Sequence, residues 1–240
     1  MLILAIDTST RTGSTAILRD FNVLAEVSGY EETPYSGRLF RDISMLQDRA
    51  NCRMDQIDVF AVAAGPGSFT GLRVGLTAVK AWAEVYRKPI AAISGLEAIA
   101  VQGLANGAWR DSNVHLFAPF MDARRGQLYG AIYRRNSDDS NGLALTNEDS
   151  ILSFDEFLES INGKSPEPVH LVSPTPELLP PARLRELLPG AQIIQVSAAL
   201  APAIGRIALE RARRGALIDA IGLDANYVRR SDAQSAWRDG

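Results

Sequence analysis

Cysteine is nearly absent. The single Cys52 excludes an intramolecular disulfide and any all-cysteine metal site, and it suits a reducing compartment. Histidine is almost as scarce: His115 and His170 are the only two, and no His-x-x-x-His pair exists. The ligand spacing of a zinc hydrolase is therefore missing. No apolar run approaches the length of a membrane span. Residues 1–6 are apolar, but Asp7 interrupts them and no basic segment precedes them, so no signal peptide is readable. Charge of one sign is lacking too. A formal net charge of -3 gives no global reason for avid nucleic-acid binding, which rests on neutralising phosphates. These absences predict a cytoplasmic protein that avoids membranes and reaches RNA only through a partner.

What is present is ordinary in amount and informative in order. The chain has 240 residues, 46% hydrophobic and 22% charged, enough for one large domain or two modest lobes. Residues 2–7, 14–18 and 23–27 are short runs rich in aliphatic and β-branched residues, joined by tight polar connections. They predict an antiparallel meander. Leu39, Ile43 and Leu46, with Phe40 beside them, recur at helical spacing, so a helix starts near Ser36 after Pro34. Residues 57–64 are an almost unbroken apolar run, the pattern of a strand covered on both faces. The stretch Gly65-Pro66-Gly67-Ser68-Phe69-Thr70-Gly71 then opens a helix that runs to Tyr86 and closes before Pro89. A strand over 90–93 and a helix over 96–104 follow. A meander feeding into crossovers implies a mixed sheet, unlike the strict alternation of a dinucleotide-binding fold.

The polar residues 106–113, which include Gly107, predict the boundary between an N-terminal lobe (1–105) and a C-terminal lobe (106–240). In the second lobe, strands are expected over 114–120, 127–134, 169–172 and 193–196, and helices over 153–161 and 178–188. Residues 136–150, rich in Asp, Ser and Asn, read as an exposed loop. Residues 198–214 read as a strong helix with a Leu200, Ile204, Ile207, Ala208 stripe. It ends in Arg211, Arg213, Arg214 and Gly215 and is expected to pack back on the first lobe. No internal repeat of solenoid length is visible.

Three constellations are candidates for chemistry. Asp7-Thr8-Ser9 ends the first strand and reads either as a phosphate- or metal-facing loop or as a simple turn, since all three residue types bend chains. Spacing alone favours the turn. The glycine-rich stretch lies between a buried strand and a helix, where anions bind. It lacks the lysine of a Walker A loop, and Thr70 stands where a dinucleotide fingerprint needs glycine. A packing reading explains more of its residues. Gly71, Gly75 and Ala78 form a small face that admits a close neighbour, Leu72, Val74, Leu76, Val79 and Trp82 make the rest apolar, and Phe69 is a candidate partner anchor. Third, Asp122-Ala123-Arg124-Arg125-Gly126 is either an anion contact through its arginines or a charged hairpin tip. Neither histidine nor Cys52 earns a catalytic role from its context.

The motifs Ile3-Leu4-Ala5-Ile6-Asp7-Thr8-Ser9, Gly65-Pro66-Gly67-Ser68-Phe69-Thr70-Gly71-Leu72-Arg73-Val74-Gly75, Met121-Asp122-Ala123-Arg124-Arg125-Gly126 and Asn226-Tyr227-Val228-Arg229-Arg230-Ser231-Asp232-Ala233 resemble, in this order, those of the TsaB (YeaZ) family. The resemblance implies a two-lobed actin-like ATPase fold (ASKHA, ribonuclease H-like) of class α/β, with mixed sheets flanked by helices and a reduced second lobe. It implies a non-catalytic subunit in tRNA threonylcarbamoyladenosine biosynthesis that scaffolds and activates the TsaD transferase, helps recruit the TsaE ATPase and self-associates as a homodimer. The positions matching the partner surface are Leu39, Phe40, Ile43 and Leu46, with Phe69, Gly71, Leu72, Gly75, Leu76 and Ala78. Asp7, Thr8 and Ser9 become a vestigial phosphate loop, and Arg124 and Arg125 candidate anion contacts. No cofactor is expected on this chain alone; ATP or ADP and metal belong to the partners or their interfaces, and tRNA is met through the complex. The chain departs from the family where Tyr35-Ser36 replaces a histidine common before the first helix. Two other readings compete. An active ATP-dependent phosphotransferase needs a later glycine-rich phosphate loop, which the second half lacks. A glycoprotease-like metallopeptidase needs zinc-ligand spacing or a nucleophile–base pair, and neither is present.

Overall fold

Leu2–Asp7 (β1) is buried along its whole length, which places it inside a sheet. Ser14–Arg19 (β2) pairs antiparallel with it, and Asn22–Ser28 (β3) pairs antiparallel with β2. Val59–Gly65 (β4) lies parallel to β1 on the other side, with Ile6 opposite Val62, and Ile90–Ser94 (β5) lies parallel to β4. The strand order is β3-β2-β1-β4-β5. Because side chains alternate across a strand, the two faces of this sheet need separate cover.

On one face, Leu4, Ile6, Ile17, Phe60 and Val62 meet Leu39, Ile43 and Leu46 of Tyr35–Ala50 (α1) and Leu72, Leu76 and Val79 of Phe69–Tyr86 (α2). The opposite face is covered by a helix from the far end of the chain, Ala201–Arg213 (α6), which packs on β1, β2, β4 and β5. Its Gly205 lies so close to Leu18 that a Cβ there would be 2.3 Å from a leucine methyl. Two polar contacts fix its ends. Ala201 N–H donates to Ser14 Oγ at 2.9 Å, and the Arg211 guanidinium donates to the Ala92 carbonyl.

The structure, a computed structural model, describes residues 1–29, 34–105, 116–135, 142–162 and 169–228. They divide into two compact units, Met1–Gly95 with Ala199–Gly240, and Leu96–Ala198. The division thus falls at Gly95/Leu96, ahead of the polar stretch 106–113, and α6 belongs with the first unit. The physical reason is the bare sheet face of β1, β2 and β4, which α6 buries. The expected boundary at 106–113 lies outside the described residues, as do His115 and the tail motif from Arg229 on.

The second unit repeats the topology without repeating the sequence. Leu116–Arg124 (β6), Gln127–Arg135 (β7) and Leu143–Ser153 (β8) form an antiparallel meander, and Val169–Ser173 (β9) and Gln192–Gln195 (β10) extend it in parallel. The order β8-β7-β6-β9-β10 is that of the first sheet. Gly95–Ala105 (α3) approaches β9 closely, with Gly103 against Val172. Phe154–Asn162 (α4) and Pro181–Leu187 (α5) cover the face that carries Phe120, Leu128 and Leu171. These helices have 9 and 7 residues against 16 and 18 for α1 and α2, so the second unit is the reduced one.

Two expectations need correction. The expected loop over 136–150 contains most of β8, a strand made of Thr146, Asn147, Glu148, Asp149 and Ser150 among others. It is an edge strand whose pairing with β7 overrides its composition, because one side of it faces solvent. The expected helix over 178–188 is a short 3-10 turn, Pro176–Leu178, followed by α5. Pro180 and Pro181 impose the break and the restart: a proline has no N–H to donate and favours the first turn of a helix.

Candidate functional site

The Asp7 carboxylate is fully buried and turned back on its own loop. One oxygen accepts the Ser9 backbone N–H at 2.8 Å and the Ser9 hydroxyl at 2.6 Å, and the other accepts the Thr10 hydroxyl at 2.9 Å. Burial pushes its pKa above the ordinary carboxylate value, and the hydrogen bonds from Ser9 and Thr10 oppose that shift. Thr10 in turn receives the Gly13 N–H, closing the turn.

Thr8 joins this loop to the glycine-rich stretch. Its hydroxyl donates to the Gly71 carbonyl at 2.7 Å, and Ser68 N–H donates to the Ser9 carbonyl at 2.8 Å. A Cβ at Gly71 would come within 2.0 Å of the Thr8 carbonyl oxygen, and one at Gly75 within 2.5 Å of the Thr8 hydroxyl. The small face of α2 therefore receives the Asp7–Ser9 loop of the same unit. Ser68 caps the helix by accepting the Gly71 N–H, so α2 starts at Phe69, two residues before the expected point. The Thr8 and Ser9 carbonyl oxygens already face this helix terminus. They supply the negative ends that a bound phosphate would otherwise bring. Two candidate sites that are 56 residues or more apart in sequence are one packed structure.

The sequence-predicted interface residues separate by burial. Leu39, Ile43, Leu46, Leu72 and Leu76 are in the core of the first unit, and Gly75 is closed off by Thr8. They hold the two helices to the sheet. Phe40 is 68% exposed and meets Trp82 edge-on, with ring centroids 6.0 Å apart. Trp82 leans on Phe60 beneath it. Val74, Ala78, Trp82 and Val85 fall along one side of α2, and Val85 is 73% exposed. Phe40 and Val85 stand out to solvent, while Val74, Ala78 and Trp82 are half-buried against the core, so the apolar stripe spans α1 and α2 with two exposed members. Phe69, exposed, lies on a different side of α2, and Gly71 is half-buried beside the loop.

Arg124 and Arg125 sit at the β6–β7 hairpin tip in the second unit. Arg124, Arg125 and Gly126 all have positive φ, of 65°, 55° and 71°. Left-handed backbone at two arginines costs roughly 1–3 kcal/mol each, where Asn-Gly would cost less. Asp122 accepts the Arg124 N–H at 2.7 Å and lies 4.0 Å from its guanidinium, which steadies the turn. His170 is buried in β9 beside the Phe117 ring, and burial raises the Cys52 thiol above its ordinary pKa. Among the described residues, no three His, Cys, Asp or Glu side chains are grouped to hold a metal ion. No described helix is long and apolar enough to cross a membrane.

Three features escaped the sequence reading. Tyr35, at the position of the departure noted above, donates its hydroxyl to the Thr12 carbonyl at 2.9 Å, and Arg38 stacks on its ring. Arg38 and Asp42 are both buried, 3.8 Å apart one helical turn along α1. Phe69, Arg73 and Tyr227 form a cluster that joins the two chain segments of the first unit. Only the i, i+4 spacing of Arg38 and Asp42 could have signalled the pair, and nothing local signals the cluster.

Two five-stranded sheets of identical order, each a meander extended by parallel strands, define a duplicated ribonuclease H-like fold of the actin-like class. A family model described as TsaD, tRNA N6-adenosine threonylcarbamoyltransferase, matches residues 35–167. The tRNA threonylcarbamoyladenosine biosynthesis protein TsaB of Bacillus subtilis is 32% identical over 238 residues, 99% of this chain and 98% of that protein. The protein of the same name from Escherichia coli is 34% identical over 148 residues, covering 60% of this chain and 58% of its own. The solved structure of YeaZ from Pseudomonas aeruginosa superposes with a TM-score of 0.69 at 22% identity, covering 94% of this chain and 99% of that one. The chain belongs to the TsaB (YeaZ) family.

Proposed function

We propose that this chain serves tRNA threonylcarbamoyladenosine biosynthesis as a non-catalytic subunit that binds a TsaD-type transferase through the outer face of α1 and α2. Its place in the pathway rests on the full-length similarity to a protein named for that biosynthesis. The observation that carries the binding reading is the exposure of Phe40 and Val85 beside half-buried Trp82, on helices whose inner sides face the core. Exposed aromatic and aliphatic side chains gathered on two adjacent helices mark a docking surface more than a solvated one. Asp7 supports the non-catalytic part, since its oxygens are engaged by Ser9 and Thr10. The same face serves self-association as a homodimer, so partner and second copy compete for it. A TsaE-type ATPase joins the assembly once the transferase is bound. Nucleotide and metal are held by those partners or at their interfaces, tRNA is met through the complex, and the assembly works in the cytoplasm.

Mixing the purified protein with the TsaD-type paralogue of the same organism tests this. Titration calorimetry should give a stoichiometric complex, and Phe40→Asp should weaken it at least tenfold, about 1.4 kcal/mol or more. Wild-type affinity in Phe40→Asp and Val85→Asp together would remove the face from the interface. Magnesium–ATP titrated into the isolated chain should give no binding heat; saturable binding with hydrolysis would favour the phosphotransferase.

A further inference from the structure

The Gly65 end of β4 and the start of α2 are held by residues from the far end of the chain. Asn226 N–H donates to the Ala64 carbonyl at 2.7 Å, which fastens the C-terminal segment across the last residues of β4. The Asn226 carbonyl then lies over Gly65, where a Cβ would be 2.4 Å from its oxygen. One residue on, the Tyr227 ring packs against Phe69 with centroids 5.1 Å apart. Arg73, one helical turn beyond Phe69, stacks its guanidinium 3.8 Å from the Phe69 centroid and donates from Nε to Tyr227 Oη at 3.3 Å. Upstream, Ile218 exchanges two backbone hydrogen bonds with Ile90, and Leu223 is buried in the core of the same unit. The segment is thus anchored at Ile218, Leu223 and Asn226 before it reaches Phe69.

We infer that residues 225–228 are a clamp in which Asn226 and Tyr227 position the glycine-rich turn and the first turn of α2 for partner docking. The inference rests on the partner-binding reading of α2 given above. Tyr227 and Phe69 are 42% and 37% exposed, so neither is a core residue whose loss collapses the unit. What they fix is a location: Phe69 is gripped between Tyr227 and Arg73, and Phe69 is the residue from which α2 starts. Gly65 has a distinct role, since its missing side chain lets Asn226 lie flat on the strand end. The clamp also explains why two motifs more than 150 residues apart in sequence must coexist in one chain: each is half of one contact.

The test uses the full-length chain and the TsaD-type paralogue, and it has two arms. Loss of the aromatic contact in Tyr227→Ala should weaken partner binding about tenfold, while Tyr227→Phe, which keeps the ring, should bind within about threefold of wild type. Gly65→Ala displaces Asn226 by an independent route. The double variant Gly65→Ala/Tyr227→Ala should therefore bind no worse than the weaker single variant, whereas additive losses would overturn a common clamp. In the second arm, amide hydrogen exchange on the free chain should speed up over residues 67–72 in Tyr227→Ala and stay unchanged in β6–β7. Unchanged exchange over 67–72 would overturn the clamp whatever the partner does. If exchange rises but neither Tyr227→Ala nor Phe40→Asp affects binding, it is the partner-binding reading that fails.

Discussion

Asp7 accepts three hydrogen bonds from Ser9 and Thr10 in a site closed to water, and this decides what its charge can do. Burial lifts its folded-state pKa above the unfolded value. Between those two values the folded chain keeps a proton that the unfolded chain releases, so this group's contribution to stability is lost as pH rises through the window. Asp7→Asn removes that titration and keeps an acceptor for Ser9. Urea unfolding from about pH 3.5 to pH 7 should lose a falling component of stability in the variant; an unchanged profile would remove Asp7 from the account. Gly71 gives a second prediction at this scale. A methyl there meets the Thr8 carbonyl oxygen at 2.0 Å, so Gly71→Ala should destabilise by about 1–3 kcal/mol in thermal melts. Gly190→Ala, which meets open space, should change little. The turn reading of Asp7-Thr8-Ser9 was legible because those residue types bond to nearby backbone. Its partner Gly71 was not, because a contact between Thr8 and Gly71 leaves no trace in either local sequence.

The helices show how far periodicity carries. The Leu39, Ile43, Leu46 spacing located α1 and its inner side, and the Gly71–Tyr86 pattern located α2. Periodicity marks the side of a helix that is apolar, and that side goes first to the unit's own core. Phe40, adjacent to Leu39 and a quarter-turn or so away, is the residue left outside, and only its burial separates it from its neighbours. The same limit hid β8. An edge strand with a solvated side needs no hydrophobic alternation, so Thr146 to Ser150 read as loop by composition and are strand by pairing. At this scale the decisive prediction contrasts neighbours. Phe40→Asp should leave unfolding almost unchanged and weaken partner binding, whereas Leu39→Asp, buried in the core, should destabilise the chain by several kcal/mol. Equal effects of the two on binding in the folded state would deny any special role to the outer face.

At the scale of the molecule, one topology is used twice with different sequences, so duplication was invisible to a search for repeats. The meander-then-crossover order did point to mixed sheets, and the first unit was legible in nearly all its elements. Its closure was less so, because α6 and residues 218–228 return from the far end of the chain to cover one sheet face and the end of β4. The two units should therefore behave differently as fragments. Residues 96–198 are continuous and carry a core around Phe120 and Phe157, so they should give native-like near-ultraviolet dichroism alone. Residues 1–95 lack α6, which leaves Ile3, Ala5 and Leu18 bare, and should be proteolysed rapidly until residues 199–240 are added.

The proposed function has this chain contribute a surface, and no chemistry of its own, to threonylcarbamoyl transfer. It is tested most directly by measuring tRNA modification in a mixture reconstituted with the TsaD- and TsaE-type partners, comparing Asp7→Asn with Phe40→Asp. Modification should stay near wild type with Asp7→Asn and fall at least tenfold with Phe40→Asp at limiting concentration. Modification abolished by Asp7→Asn in an intact complex, and untouched by Phe40→Asp, would contradict it.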